Sequence, residues 1–189
     1  MIQKVKPTNV GFGCSAFKFA VYIANKPALS EYDNLQSMQT LAAQEIAHIG
    51  QCCGNGWRKV FNVYSKLLYA LDPQCFSFMQ RASTWQKYRD QYLLQQGSAT
   101  ALLFSAPKIT DLRTGEHNCI HIISGKTYAK TLIESGQLQT SLTWLDEHFA
   151  IDVSKRLIVC PYFDYRQLSN AKIEFLANLI KELVNDKLC

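Results

Sequence analysis

The chain has 189 residues, 48% of them apolar and 19% charged, with 9 glycines, 5 prolines and a formal charge of +5; its mean hydropathy is -0.10 and its isoelectric point about 8.8. This composition is that of a globular protein and excludes disordered and collagen-like chains. No apolar run approaches the ~18 residues of a membrane-spanning helix, and a chain of this length buries roughly 70% of the surface of its unfolded form, enough for one domain over 1–189 without a metal or disulfide staple.

Met1–Val10 carries lysines with no apolar stretch behind them, which argues against a cleaved secretory signal and for a cytoplasmic protein. Phe17–Asn25 is short, rich in β-branched and aromatic residues, and followed by Pro27, so it is expected to be a buried strand near the centre of a sheet. Met38, Leu41, Ala42, Ile46 and Ile49 recur at spacings of three and four, the pattern of one helix face ending near Gly50. Asn55 is placed to cap the next helix, in which Trp57, Val60, Phe61, Tyr64, Leu67, Leu68 and Leu71 form a wide apolar stripe up to Asp72-Pro73. In a third helix Ser83 and Gln86 have capping-box spacing, Trp85, Tyr88 and Tyr92 share a face, and Gly97 supplies the stop.

Beyond residue 100 short apolar runs alternate with single helices. Ala101–Ser105, Cys119–Ser124 and Leu157–Cys160 are expected strands. Ser124 is placed to cap a helix that carries Tyr128, Ala129, Leu132 and Ile133 and closes at Gly136. Leu142–Phe149 fits either a short helix or irregular chain, and the last helix starts after Ser169 or Asn170 and buries Ile173, Leu176, Ala177, Ile180, Leu183 and Val184. This alternation predicts an α/β fold of three α/β/α layers around a mostly parallel sheet of about four strands. Three of the four strands run toward a proline, at Pro27, Pro107 and Pro161, each followed by a polar loop. Ligands in open α/β sheets bind outside the carboxyl ends of the strands, so a site is expected in those loops.

The seven cysteines are odd in number and contain no C-x-x-C pair, which excludes a disulfide framework and a zinc ribbon and predicts reduced, mostly buried thiols. All the net positive charge lies in residues 1–100, with ten Lys/Arg against five acids, whereas 101–189 carry ten of each sign. There Arg58, Lys59, Arg81, Lys87 and Arg89, together with Lys66, are interleaved with Trp57, Tyr64, Tyr69, Trp85, Tyr88 and Tyr92. One reading is a basic face with stacking aromatics for DNA or RNA with unpaired bases. The other is a set of amphipathic helices with buried aromatic stripes and solvated cations, which the moderate isoelectric point favours.

Ser124-Gly125-Lys126-Thr127 resembles the end of a phosphate-binding loop, but the first glycine of that motif would stand at Ile120. What survives is a helix start at Gly125 with Lys126 beside it, suited to one phosphate or other small anion. His117, Cys119 and His121 alternate on one strand face, yet no further ligands are evident, so neither a metal site nor a cofactor motif is complete. A Cys160–His121 nucleophile pair on neighbouring strands is conceivable, while His48 and His148 show no local partner that implies catalysis.

With the strands placed, the order of pieces over residues 17–185 resembles the uracil-DNA glycosylase superfamily. Ala24-Asn25-Lys26-Pro27 occupies the place of its first strand-end loop, Leu102-Leu103-Phe104-Ser105 that of its second strand, Ile122 to Ala129 that of its third strand and helix, and Val159-Cys160-Pro161-Tyr162 that of its last loop. The resemblance implies a parallel sheet between helices and a nucleobase site at the strand ends. It also puts the water-activating carboxylate at Lys26, the base-reading asparagine at Ser105 and the last-loop histidine at Cys160. A protonated lysine is no base and a serine cannot make a two-pronged amide contact, so ordinary uracil excision is not expected; Asp164, Glu31 and Asp33 are the nearby acids. The expected ligand-binding set is Asn25, Lys26, Ser105, Gly125, Lys126, Cys160 and Tyr162, the expected nucleic-acid set is the five cations named above, and the alternatives are a small anionic metabolite at Gly125 and Lys126 or a non-catalytic interaction surface.

Overall fold

The computed structural model describes residues 9–109 and 119–185. Among them are eight strands: β1 (Gly11–Gly13), β2 (Phe19–Tyr22), β3 (Met38–Gln39), β4 (Thr100–Leu103), β5 (Ile120–Ser124), β6 (Thr143–Trp144), β7 (Ala150–Asp152) and β8 (Leu157–Cys160). Five α-helices accompany them: α1 (Glu45–Cys52), α2 (Asn55–Ala70), α3 (Trp85–Gln91), α4 (Lys126–Glu134) and α5 (Asn170–Val184).

All eight strands form one sheet in the order β3-β1-β4-β2-β5-β8-β7-β6. Its centre is the parallel block β4-β2-β5-β8, which is the set of four strands expected from the apolar runs. The block is buried on both faces because its residues alternate. Phe19, Val21, Leu102, Ile120, Ile122, Ile158 and Cys160 pack with the apolar residues of α1, α2, α3 and α5. Ala20, Tyr22, Ala101, Leu103, Ile123, Leu157 and Val159 pack on the other side with Ala129 and Leu132 of α4 and with Leu138. Apolar residues on both faces, with Thr100, His121 and Ser124 the buried polar exceptions, are what strands covered on both sides require.

The expectation of about four strands is corrected to eight. The four additional strands have two or three residues each, too short to show a periodicity. β1 carries two glycines because it lies against β4: a Cβ at Gly11 would overlap the Leu102 carbonyl oxygen and one at Gly13 that of Thr100, and Gly13 also holds φ +113°. β1 runs antiparallel to β4 and parallel to β3. Leu142–Phe149 is neither helix nor irregular chain alone; it contains β6 and the turn to β7, an antiparallel hairpin added to β8.

The expected helix from Met38 to Gly50 is shorter. Met38 belongs to β3, Leu41 donates its amide to the Leu94 carbonyl, and the helix begins only at Glu45 after a left-handed Gln44. Glu45 sets that start by accepting from the Ala42 amide at 2.7 Å and the buried Tyr32 hydroxyl at 2.6 Å, contacts a helical period does not reveal. Caps differ too. Gly54, not Asn55, precedes α2; Thr84, not Ser83, caps α3, which ends at Gln91 before Gly97; Gly125, not Ser124, precedes α4. α5 starts after Ser169, one of the two expected places, and Ser169 caps it by accepting from the Lys172 amide.

Candidate functional site

The carboxyl ends of β2, β5 and β8 open onto a cleft of about 820 Å³, within the usual size of small-molecule sites. Ala24 and Asn25 enter it from the end of β2, and Ser124, Gly125 and the first turn of α4 form its floor. Gly125 holds φ +110°, and a Cβ there would meet only the Tyr162 ring at 3.8 Å, so backbone conformation rather than space requires glycine. No side chain caps α4. The N–H groups of a first helical turn have no intrahelical acceptor, which makes this floor electropositive.

The loop after β8 forms one wall. Phe163 and Leu168 are fully buried and anchor it, the Phe163 amide donates to Ser124 Oγ at 3.0 Å, and the Gln167 and Leu168 amides both donate to the Asp164 carbonyl at 2.8 Å. Tyr162, Arg166 and Gln167 are left lining the cleft, with Lys172 from the first turn of α5. Asp164 is turned away from it, held by Lys59 Nζ at 2.8 Å. Burial raises its carboxyl, but the Lys59 hydrogen bond, the Arg166 amide and both positive charges outweigh that and keep it below the usual carboxylate range.

The opposite wall is the β6–β7 turn, in which the Asp146 carboxylate accepts the His148 amide at 2.6 Å and the Phe149 amide at 2.7 Å. Glu147 and His148 reach the cleft from this turn, with His148 Nε2 3.2 Å from Glu147 Oε1. Lys126 Nζ donates to the Glu147 carbonyl at 3.0 Å and lies 4.6 Å over the Trp144 ring, tying α4 to the hairpin. The lining thus contains Lys126, Arg166 and Lys172 against the carboxylate of Glu147, with Tyr128 and Tyr162 as aromatic surfaces. Burial raises both phenols, in Tyr162 with help from Asp164, so both are neutral hydroxyls at neutral pH.

Of the residues expected from sequence to meet a ligand, Asn25, Gly125, Lys126 and Tyr162 line this cleft. Lys26, Ser105 and Cys160 are not among its lining residues. Lys26 Nζ donates to the carbonyls of Tyr32 at 3.0 Å and Asp33 at 2.7 Å. Ser105 Oγ accepts the Val10 amide at 3.1 Å. Cys160 is fully buried on the sheet face covered by α2 and α5, where desolvation pushes its thiol up. His121 instead bonds Tyr22, which packs on the α4 face, Nδ1 to hydroxyl at 2.9 Å. The Cys160–His121 pair is therefore excluded, because side chains of opposite parity on neighbouring strands point to opposite faces. His117 lies outside the described residues; among those described, no group of His, Cys, Asp or Glu is arranged to hold a metal ion. Of the nearby acids, Asp164 pairs with Lys59, Glu31 lies 3.7 Å from His48, and neither these nor Asp33 lines the cleft.

The five cations expected to meet nucleic acid are also absent from the cleft lining. Arg58 and Arg89 flank a smaller hollow between α1, α2 and α3, Arg89 bonded to Asp90 and Asn62. Arg81 donates to the Gly97 carbonyl at 3.1 Å, Lys87 is exposed on α3, and Lys59 holds Asp164. Most of the interleaved aromatics face the core: Tyr64 and Tyr88 are fully buried, and Trp57, Tyr69 and Tyr92 pack against the same cluster. Trp85 alone among the six presents a ring to cations, with Lys66 Nζ at 5.1 Å and the Arg89 guanidinium at 5.7 Å.

Sequence reasoning missed Arg166, Lys172 and His148 as cleft residues. Their local signal is weak, since each is one polar residue in a loop or first helical turn, and only the juxtaposition of β8, α5 and the β6–β7 hairpin brings them together.

No curated protein and no solved structure matches the chain. A family model does match, over residues 10–181, and the chain belongs to that family, described as a family of unknown function (DUF6942).

Proposed function

We propose that the strand-end cleft binds a small anionic ligand with a planar, nucleobase-like part, of the size of a mononucleotide. The observation that carries this reading is the convergence of Lys126, Arg166 and Lys172, from three separate segments, around an uncapped helix start whose lining carries one carboxylate. The anion sits on the first-turn amides of α4, where the helix dipole and Lys126 favour negative charge. Arg166 supplies a planar fork suited to phosphate or carboxylate oxygens. Tyr128 and Tyr162 give the planar part a stacking surface beside Gly125.

The test is a thermal-shift series with inorganic phosphate, a nucleoside, nucleoside monophosphates and short oligonucleotides, single- and double-stranded, with and without uracil, over a range of salt. A mononucleotide at a hundred times its Kd is expected to stabilise the protein by about 2.7 kcal/mol. Lys126→Ala and Arg166→Ala are each expected to remove most of that shift, Lys126→Ala also lowering the unliganded midpoint because it frees α4 from the hairpin. Absence of any mononucleotide shift in the folded protein refutes the proposal. Binding confined to oligonucleotides, with a steep salt slope, refutes it in favour of a nucleic-acid face around Arg58, Lys87 and Arg89.

A further inference from the structure

The last turn of α1 carries a second constellation, away from the lining of the cleft. His48 and Cys52 are four residues apart and so share one helix face, with Cys52 Sγ 3.7 Å from His48 Nδ1. The other ring nitrogen, Nε2, lies 3.7 Å from Glu31 Oε1. Glu31 is presented by the turn Ser30–Tyr32, which is anchored by the buried Tyr32 side chain and by Lys26 bonded to the Tyr32 and Asp33 carbonyls. The sulfur lies almost equally close to both ring nitrogens, 3.9 Å from Nε2, so the imidazole stands beside the thiol with the Glu31 carboxylate near its far edge. Cys52 is exposed, and the His48 and Glu31 side chains are 52% and 49% exposed, so a dissolved reagent can reach the sulfur.

We propose that Cys52 is a nucleophilic thiol that undergoes thiol–disulfide exchange with low-molecular-weight disulfides, with His48 as its proton acceptor. In the exchange the Cys52 thiol proton passes to His48 Nδ1 and the sulfur attacks one sulfur of the disulfide. A new S–S bond forms as the old one breaks, and the departing thiolate takes the proton from His48; the protein gains one mixed disulfide and one small thiol is released. Three of the other described cysteines are poorer competitors. Cys119 and Cys160 are buried, and burial pushes the Cys119 thiol up to about 12; burial also raises Cys53. Cys53 is no resolving partner either, since neighbouring Cα atoms about 3.8 Å apart fall short of the ~4.4 Å lower limit of ordinary disulfides.

The experiment treats the full chain at neutral pH with a sub-stoichiometric amount of oxidised glutathione and follows the occupancy of every cysteine by peptide mass mapping. Cys52 is expected to react at least about tenfold faster than Cys14, Cys53 or Cys75, and His48→Ala to slow it by about tenfold, with partial recovery when imidazole is added to the buffer. A Cys52 rate no greater than that of Cys14, or one unchanged in the folded His48→Ala variant, overturns the proposal. Should that variant lose its far-ultraviolet circular dichroism, the ranking of cysteines in the unsubstituted protein decides alone.

Discussion

Removing the Ser124 hydroxyl perturbs a side-chain bond that joins the end of β5 to the loop after β8. Ser124 is 1% exposed and Phe163 fully buried, so when Ser124→Ala takes away the acceptor 3.0 Å from the Phe163 amide, that amide has no solvent to turn to. An unsatisfied buried donor costs about 1–3 kcal/mol, and the loss of a single oxygen adds little cavity. Taking about 2 kcal/mol, the melting midpoint of a chain this long falls by roughly 4–8 °C, and the urea midpoint falls by about 1 M at an m-value of about 2 kcal/mol/M. The loop also carries Tyr162 and Arg166, so affinity for a cleft ligand is expected to fall with stability. Equilibrium urea unfolding followed by circular dichroism reads the first effect, with Ser135→Ala as control because Ser135 is exposed and bonds only the Leu132 carbonyl within its own helix turn. A Ser124→Ala change below about 0.5 kcal/mol, the level of ordinary surface substitutions, would refute the reasoning and mean that Phe163 and Leu168 hold the loop by packing alone.

Gly13→Ala is expected to cost about 3 kcal/mol, because the new Cβ combines overlap with the Thr100 carbonyl and strain at φ +113°; Gly136→Ala, at φ +72° with nothing within 4 Å, is expected to cost only about 1 kcal/mol in the same urea assay. Lys59→Met removes the partner that holds the Asp164 carboxyl low. A depressed folded-state pKa stabilises above the unfolded value and is lost as pH falls, so the variant is expected to be less stable at neutral pH and to converge on the parent below pH about 4, as unfolding across a pH series will show. Burial raises the phenols of Tyr22, Tyr64 and Tyr88 well above their ordinary value. These rings are expected to stay un-ionised in the native state, and stability to fall as pH rises past about 10; phenolate absorbance equivalent to all nine tyrosines before any loss of circular dichroism would contradict their burial.

Local pattern alone was enough for the parallel block and the two longest helices. β2, β4, β5 and β8 are predominantly apolar runs, and α2 and α5 carry stripes at helical spacing, so burial on a sheet or along a helix face leaves a trace in the chain itself. The rule that ligands meet open α/β sheets at strand ends pointed to the loops at Pro27, Pro107 and Pro161; Asn25 and Pro161 line the cleft, and Pro107 is not among its lining residues. What local pattern did not contain is every feature made by two distant segments. β1, β3, β6 and β7 exist because a neighbour pairs with them, α1 begins where Glu45 meets Tyr32 and Ala42, and Gly125 starts α4 because Ser124 is engaged by Phe163. The charged face depended on tertiary structure for the same reason: the composition of the first half is basic, yet Lys59, Arg89 and Arg81 are held by Asp164, Asp90 and the Gly97 carbonyl. The cations that converge on the cleft come from α4, α5 and the loop before it, segments in the half of the chain whose charges balance, because position in the fold and not local abundance decides where charge accumulates.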